Sequence, residues 1–330
     1  MSTWIVIVVF LVALGVSLTA SWILVGKLER VGARLGASEA LLGLLAALAA
    51  DTPEISSAIS AMVNRQRAVA VGVVIGSNVF NLAALLGLGA IVAGRIAVHR
   101  RVVLLTGGVA GWVAIACFAT VSGAVPAMAG LLAVLAVLAP YAWLAAVGGR
   151  VEGRPSRLAE WLHAAIEEEE AELLPAIHPR PGRPIDAVQG AGTLVIVVAA
   201  SVMMERAAST LGVRFGVPDL VLGAVALAAA TSLPNVVAAV YLARRGRGSA
   251  ALSTAFNSNG LNVAIGFLVP TLVLGLTPAS GQETFVAAAY VALTSLVAAV
   301  AFRNRGIRRR EGLLIVALYA AFVVVLIAVA

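Results

Sequence analysis

Residues 51–54 are Asp-Thr-Pro-Glu and residues 231–235 are Thr-Ser-Leu-Pro-Asn, and each motif lies inside a long apolar stretch. A second polar motif follows each one, Gly-Ser-Asn-Val-Phe-Asn at 76–81 and Phe-Asn-Ser-Asn-Gly-Leu-Asn at 256–262. The spacing of the proline, the serine and the last asparagine is identical in the two halves. The first half has Pro53, Ser77 and Asn81, and the second has Pro234, Ser258 and Asn262. Apolar segments interrupted at corresponding positions of two halves predict the binding site of a membrane transporter.

The composition is that of a membrane protein. Of the 330 residues, 61% are hydrophobic and only 12% are charged, whereas soluble domains carry about 25% charged residues. The net charge of +7 does not indicate nucleic-acid binding, because the basic residues lie in short loops between apolar runs, where they set membrane orientation. The single cysteine, Cys117, has no partner for a disulfide or a zinc site.

Ten apolar stretches are long enough to cross a bilayer, since about 20 residues suffice. We interpret the first as a retained membrane helix, because it lacks the basic start and the cleavage site of a signal peptide. The predicted spans are 3–25, 36–62, 68–92, 102–120, 124–147, 186–205, 216–243, 250–275, 284–302 and 312–330.

The loops between these stretches alternate in basic content. With the N-terminus outside, the inside loops hold 19 of the 23 basic residues. The positive-inside rule then places both termini outside and the central loop in the cytoplasm. Each half contains five helices, and an odd number inverts the second half relative to the first. We therefore predict an all-α polytopic membrane protein, with ten transmembrane helices arranged as two inverted five-helix repeats, 1–147 and 186–330.

The segment between the repeats, 148–185, is predicted to be a cytoplasmic linker with a short amphipathic acidic helix. This helix is expected to begin after Ser156 and to stop before Pro175. Its acidic run, Glu167 to Glu170, fits either a cytoplasmic calcium sensor or the solvated face of an interfacial helix. The solvated face is favoured, because the run lacks a loop with alternating oxygen ligands.

Two acids, Asp51 and Glu54, lie deep inside a predicted span. A carboxylate at this depth costs at least about 2.5–3.5 kcal/mol, and such residues usually mark an ion or proton path. No predicted span holds a deep arginine or lysine to pair with them, which argues against a purely structural ion pair. The remaining acids of the apolar segments, including Glu205 and Glu283, are predicted near span ends, where water is close.

Pro53 and Pro234 are predicted to break their helices, because proline removes a backbone donor and frees carbonyl oxygens. Unwound backbone at membrane depth is tolerated only where it is buried or lines a cavity. The side chains around the two prolines offer oxygen ligands, which hard cations such as calcium and sodium prefer. The candidate cation ligands, with Asp51 and Glu54 as the charged pair, are Asp51, Thr52, Glu54, Ser77, Asn81, Thr231, Ser232, Asn235, Ser258 and Asn262.

Both repeats resemble the alpha repeats of the cation/calcium exchanger superfamily, the group that contains sodium/calcium exchangers. The resemblance is close over 36–92 and 216–275, and the ten-helix arrangement extends it over the whole chain. In that family, a Thr-Ser-x-Pro-Glu stretch on the second and seventh helices and a Gly-Ser-Asn-x-Phe-Asn/Asp stretch on the third and eighth coordinate cations near the midplane. The resemblance also implies that the first and sixth helices move as a gate across the other eight. It implies these ligands: Glu54, Ser77, Asn81, Thr231, Ser232, Ser258 and Asn262.

The chain departs from this pattern at Asn235, where the family usually has its second glutamate. If Asp51 points into the site, it restores a second carboxylate, and a divalent cation can be neutralised. Asp51 and Glu54 are three residues apart, which favours one helical face, but Pro53 interrupts that helix. If the two acids instead crowd each other in the empty site, they share a proton. That outcome favours proton coupling, or selectivity for sodium over calcium.

A second departure is one of length. The step from Gly43 to Pro53 is ten residues, whereas the step from Gly223 to Pro234 is eleven. The first repeat thus lacks one residue. Asp51 therefore falls opposite either Thr231 or Ser232, depending on where the gap lies.

We expect a secondary active cation antiporter, with sodium/calcium exchange by alternating access at an all-oxygen site near the midplane. The alternatives are a proton-coupled or monovalent cation exchanger, and a degenerate, non-transporting sensor or scaffold. An enzyme is not expected, because no predicted span holds a histidine and no HExxH motif occurs.

The expected partners are the lipid bilayer and inorganic cations, without nucleic acid, and the oligomeric state stays open. No cofactor is expected beyond the transported Ca²⁺ and Na⁺, or H⁺, which are substrates. An Arg-, Ala- and Gly-rich composition with compact loops favours a prokaryotic plasma membrane.

Overall fold

The computed structural model describes residues 2–147, 157–173, 181–275 and 280–330. Within these residues, nine helices are long and apolar enough to cross a membrane, and a bent pair of helices makes a tenth. Each corresponds to one of the ten predicted stretches, and we number them as spans in chain order. The prediction of an all-helical, polytopic membrane protein is confirmed.

The spans are joined by short connections, apart from the linker between the fifth and the sixth. The linker helix is Arg157–Leu173, and the residues predicted to bound it, Ser156 and Pro175, lie outside the described ranges. Strands β1, Arg95–Ala97, and β2, Gly306–Arg308, pair antiparallel. The ten spans are Thr3–Arg34, Glu39–Val63, Arg67–Ala93, Arg100–Val121, Ala127–Val147, Pro184–Phe215, the pair Asp219–Thr231 and Leu233–Arg244, Gly248–Leu274, Gly281–Asn304 and Arg309–Val329.

The third and eighth spans form the centre of the bundle, and the first, fifth, sixth and tenth lie at its periphery. The peripheral spans expose large apolar side chains such as Trp4, Trp22, Val195 and Val213. A soluble protein rarely exposes so large an apolar surface. In lipid the same surface is well solvated, and the helices satisfy their own backbone hydrogen bonds.

The first and sixth spans lie side by side and antiparallel. Ser17 Oγ and Ser201 Oγ are 2.8 Å apart midway along the pair, and Lys27 Nζ lies 2.7 Å from Asp186 Oδ1 near one end. Both helices continue past their predicted ends at residues 25 and 205, to Arg34 and Phe215. Those predicted ends are wrong because both helices continue through charged residues. Lys27, for example, is helical and pairs with Asp186.

The two prolines differ in their effect on the backbone. Pro234 lies in the first turn of Leu233–Arg244, just after a break at Ser232 where the two halves of the seventh span meet at 52°. Proline is well tolerated in a first turn, because its missing N–H has no helical partner there. The sequence prediction of a broken helix is confirmed at Pro234.

Pro53, in contrast, lies inside the continuous helix Glu39–Val63, so the prediction that it breaks its helix is wrong. Proline in a helix leaves the carbonyl four residues earlier without its donor, and here that carbonyl belongs to Ala49. Ser21 Oγ of the first span donates to the Ala49 carbonyl oxygen at 3.1 Å. A hydroxyl from a neighbouring helix thus replaces the lost hydrogen bond and keeps the second span whole.

Four π-helical segments lie in the third, seventh and eighth spans, where a π turn accommodates an extra residue. The segment of the seventh span lies between its start and Pro234, the stretch in which the second repeat is one residue longer than the first. With the extra residue placed in that segment, Asp51 aligns with Ser232 at the same offset that relates Pro53 to Pro234. The segments are Gly72–Gly76, Leu82–Leu88, Leu222–Leu227 and Asn262–Leu268.

The third and seventh spans touch backbone to backbone. A Cβ atom placed on Gly76 would lie 2.3 Å from the Cα atom of Ala224, and one on Gly72 would lie 2.8 Å from the Ala224 nitrogen. Glycine at both positions permits this approach, as small residues do at other membrane helix contacts. The contact holds the two helices next to the candidate site at a fixed separation.

The linker helix packs against the membrane domain instead of lying free. Ile166 is buried with Tyr141 of the fifth span, and the Tyr141 hydroxyl donates to both carboxylate oxygens of Glu169 at 3.3 Å. The predicted solvated face holds for Glu167, which is exposed, and is wrong for Glu169, which is buried. Burial of Glu169 is possible because a tyrosine hydroxyl satisfies its carboxylate.

Candidate cation-binding site

The second span carries both deep acids. Asp51 and Glu54 are fully buried, and the continuous helix through Pro53 turns both side chains toward the seventh and eighth spans. In the described part of the chain, no lysine, arginine or histidine forms an ion pair with either carboxylate. Buried carboxylates without a basic partner are costly, so their charge calls for another source of compensation.

Each carboxylate is held by one donor from the seventh span and one from the eighth. Asp51 Oδ1 accepts a hydrogen bond from Asn235 Nδ2 at 2.7 Å and one from Ser258 Oγ at 2.6 Å. Glu54 accepts from the Ser232 hydroxyl and from the amide of Asn262. The two halves of the chain therefore meet around these acids.

Two of these contacts correspond to each other under the repeat. Asn235 follows Glu54 at the same interval at which Ser232 follows Asp51. Exchanging the two halves therefore converts the Asp51–Asn235 contact into the Ser232–Glu54 contact. This places Asp51 beside the position at which the family's second glutamate is expected.

Asn78 and Asn259 form a reciprocal pair between the third and eighth spans. Asn78 Nδ2 donates to the Asn259 carbonyl oxygen at 3.1 Å, and Asn259 Nδ2 donates to the Asn78 carbonyl oxygen at 3.0 Å. Asn81 Nδ2 also donates to Asn259 Oδ1 at 3.1 Å. Neither asparagine was among the predicted site residues, although each directly follows a candidate serine, Ser77 or Ser258.

Two of the remaining candidate hydroxyls, those of Ser77 and Thr231, bond to their own helices. Ser77 Oγ donates to the Val74 carbonyl at 2.9 Å and Thr231 Oγ1 to the Leu227 carbonyl at 2.9 Å, and both are buried. Because each gives its proton to its own helix, its oxygen lone pairs stay available to a cation.

Thr52 lies apart from this hydrogen-bonded cluster. Its hydroxyl donates to the Leu48 carbonyl at 3.1 Å, and the residue lines a cavity between the second and sixth spans. Its side chain points away from the acids because it follows Asp51 by only one residue on the helix.

Three buried oxygens of the cluster have no hydrogen-bond donor among the described residues: Asp51 Oδ2, Asn81 Oδ1 and Asn262 Oδ1. Buried polar atoms are nearly always satisfied, so such exceptions need an explanation. All three are acceptors from carboxylate or amide groups, and they accompany two uncompensated acids. This set of oxygen ligands suits a hard cation.

The family of the chain follows from a comparison over its whole length. The family model for the sodium/calcium exchanger protein matches residues 5–147 and 187–328. The chain belongs to the sodium/calcium exchanger protein family. The resemblance stated from the two repeated motifs is confirmed.

Curated relatives of this exchanger-family chain are partial matches. The inner membrane protein YrbG of Escherichia coli is 30% identical over 230 residues, which cover 67% of this chain and 65% of that protein. The sodium/calcium exchanger MaX1 of Methanosarcina acetivorans is 33% identical over 111 residues, covering 34% of this chain and 32% of that one. The sodium/potassium/calcium exchanger Nckx30C of Drosophila melanogaster is 28% identical over 159 residues, and the match spans 18% of its length. The chain thus covers less than two thirds of each of these relatives.

Solved exchanger structures share the fold over nearly the whole chain. A structure of the sodium-calcium exchanger NCX_Mj, soaked with Na⁺ and Sr²⁺, superposes with a TM-score of 0.64 at 20% identity and covers 97% of this chain and 98% of that one. The H⁺/Ca²⁺ exchanger CAX superposes with a TM-score of 0.70 at 14% identity and covers 98% of this chain and 86% of that one. At these identities the likeness establishes the exchanger fold.

Proposed function

We propose that this exchanger-family protein is a secondary active cation antiporter that exchanges sodium for calcium at the cluster around Asp51 and Glu54. One observation carries the proposal: two buried carboxylates without a basic partner share a cluster with three unpaired acceptor oxygens. Cations are the ligands that such a cluster lacks.

The charge of the cluster favours a divalent ion. Two carboxylates balance the charge of one calcium ion, and the same oxygens serve sodium when calcium leaves. The proposed ligands are the side chains of Asp51, Glu54, Ser77, Asn81, Thr231, Ser232, Asn235, Ser258 and Asn262. Thr52 is not among them, since its hydroxyl lies outside the cluster.

Transport requires access from each side in turn, and the first and sixth spans are suited to provide it. They pack antiparallel against each other along their length, and a cavity lined by Gly26, Glu29 and Asn235 lies between the first, second and seventh spans. A sliding motion of this helix pair opens or closes the site on one side at a time. We call the pair the gate.

The proposal also covers how the chain is arranged in the membrane and which membrane holds it. It comprises two inverted five-helix repeats, 1–147 and 186–330, a cytoplasmic linker, 148–185, and both termini outside. The similarity to an inner membrane protein of Escherichia coli and the compact, arginine-rich loops support a prokaryotic plasma membrane.

Exchange against protons is a second candidate, favoured by the proximity of the two acids. Asp51 and Glu54 lie one helical turn apart on the second span, and no basic residue of the described structure pairs with either. Like charges at that separation repel when no cation is bound, and a proton relieves the repulsion. The fold likeness to an H⁺/Ca²⁺ exchanger is compatible with this candidate.

The test is calcium uptake into vesicles reconstituted with the purified protein. An outward sodium gradient is expected to drive uptake, and Glu54→Gln is expected to abolish it while the protein stays folded and inserted. Uptake driven by a proton gradient alone would select the second candidate. No uptake under either gradient, by a protein that is folded in the vesicles, would contradict the proposal of calcium exchange.

A further inference from the structure

Another buried acid, Glu205, lies on the sixth span, outside the central cluster. Glu205 is fully buried, ten residues before the end of its helix at Phe215. The prediction that it lies near a span end, where water is close, is wrong because the helix continues. Among the described residues, no basic side chain forms an ion pair with it. An acid at such a position usually marks an ion or proton path.

The groups that hydrogen-bond to Glu205 are neutral hydroxyls, and Arg206 lines the neighbouring cavity. Its Oε2 atom accepts a hydrogen bond from Ser60 Oγ of the second span at 2.7 Å, and its Oε1 atom accepts from Ser209 Oγ at 2.9 Å. Ser209 Oγ also lies 3.4 Å from Gln66 Oε1, just beyond the end of the second span. Hydroxyls can rotate, so they donate to the carboxylate in one state and turn their lone pairs to a cation in another.

A polar stripe on the second span leads from the level of Asp51 toward the level of Glu205. Thr52, Ser56, Ser60 and Asn64 follow one another at four-residue intervals and therefore share one helical face. All four line a cavity of about 520 Å³ between the second and sixth spans. The stripe runs from the residue next to Asp51 to the helix end that the charge pattern places outside.

The spacing of the two acids is short enough for a stepwise path. Ser60 follows Glu54 by six residues, which is about 9 Å along a helix. Between them, Ser57 Oγ donates to the Ser201 carbonyl oxygen of the sixth span at 3.4 Å. Glu205 thus lies about two helical turns from the central cluster, toward the outer end of the cavity.

We propose that Glu205, Ser60, Ser209 and Gln66 form a second cation site, which holds one monovalent cation, sodium, between the outer surface and the central cluster. One carboxylate balances one positive charge, and the neutral oxygens complete an all-oxygen shell that suits sodium. The carboxylate of this site comes from the sixth span, whereas the central cluster uses the second, third, seventh and eighth.

The first test measures sodium binding without transport. The variant Asp51→Asn/Glu54→Gln removes both central charges, and sodium binding to it is followed by titration calorimetry in detergent. One bound sodium is expected to remain, to disappear when Glu205→Gln is added, and to persist when Ser201→Ala is added instead. Ser201 is a matched control, because it is buried one turn away and its hydroxyl contacts Ser17. No residual sodium, or a residual sodium that survives Glu205→Gln, overturns the proposal.

The second test uses the otherwise unchanged protein and does not depend on folding of the double variant. In vesicles, Glu205→Gln is expected to raise the external sodium concentration for half-maximal exchange at least about fivefold, and to leave half-saturation by calcium unchanged. Equal sodium dependence in the variant and the wild type overturns the second site. Failure of sodium/calcium exchange in the wild type would overturn the proposed function instead, and the binding experiment would still decide on Glu205.

Discussion

The amide of Asn235 donates a 2.7 Å hydrogen bond to the carboxylate of Asp51. Asn235 stands at the place of the family's second glutamate, and the charge missing there is present on the side chain it touches. The structure thus has two carboxylates in the cluster, both from the second span. The first repeat supplies both carboxylates of the cluster and the second supplies none, although the contacts of the two repeats correspond.

Asp51→Asn is expected to weaken calcium transport strongly. The cluster would keep its shape, since an amide is nearly isosteric with a carboxylate, but would hold one negative charge against a divalent ion. The calcium concentration for half-maximal uptake is predicted to rise at least about 100-fold, which corresponds to about 2.8 kcal/mol. Calcium-dependent uptake measured at several concentrations checks this.

A charge swap provides the matched control for that variant. In Asp51→Asn/Asn235→Asp, the carboxylate and the amide exchange places across the same contact, so the charge count returns to two. Calcium uptake is expected to recover at least in part relative to Asp51→Asn. If Asp51→Asn alone transports calcium as the wild type does, Asp51 has no part in the charge balance of the site.

Ser21 is expected to stabilise the second span through the carbonyl that Pro53 leaves unpaired. Ser21→Ala removes the donor to Ala49, and the loss of one such hydrogen bond costs about 0.5–1.5 kcal/mol. In the Pro53→Ala background the helix regains its own N–H donor to Ala49, so Ser21→Ala should cost less there. Thermal unfolding of the four proteins measures this coupling. Equal costs in both backgrounds would argue that Ser21 acts independently of the proline.

Gly76→Ala is expected to destabilise the contact between the third and seventh spans. The added methyl group would lie 2.3 Å from the Ala224 Cα atom, which requires the backbones to separate. Overpacking of this kind costs about 1–3 kcal/mol. Gly111→Ala, in the fourth span, is the control, because no atom lies within 4 Å of its added methyl group. The melting temperature should fall for Gly76→Ala only; equal temperatures for both variants would contradict the close contact.

Glu169→Ala is predicted to loosen the linker helix from the membrane domain. It removes the acceptor of the Tyr141 hydroxyl from a buried position, and an unsatisfied buried group costs about 1–3 kcal/mol. Glu167→Ala, at an exposed position two residues earlier, should have little effect. Protease cleavage of the linker measures the difference, with faster cleavage expected for Glu169→Ala. Equal cleavage rates would indicate that the helix is not held by this contact.

Much of this architecture could be predicted from the sequence, because lipid imposes a simple rule. Every span must be apolar and about 20 residues long, so the positions of all ten spans could be predicted. The repeated motifs around Pro53 and Pro234 carried the family resemblance, since two polar interruptions in register are costly in a membrane and are kept for a site.

The parts that could not be predicted depend on contacts between distant segments. The helix survives Pro53 because Ser21, on a different span, supplies a donor to Ala49. The span carrying Glu205 continues past its predicted end although charges are present. Neither fact follows from a local pattern. The contact of Asp51 with Asn235 likewise joins two spans that are 184 residues apart in the chain.

Equilibrium binding of calcium to the purified protein in sodium-free detergent solution tests the central claim most directly. We predict that the wild type binds calcium, that sodium displaces it competitively, and that Glu54→Gln loses the binding while its melting temperature in the absence of calcium stays close to that of the wild type. A wild-type protein that binds no calcium, or a folded Glu54→Gln variant that binds it as tightly, would contradict the assignment of the cluster as the exchange site.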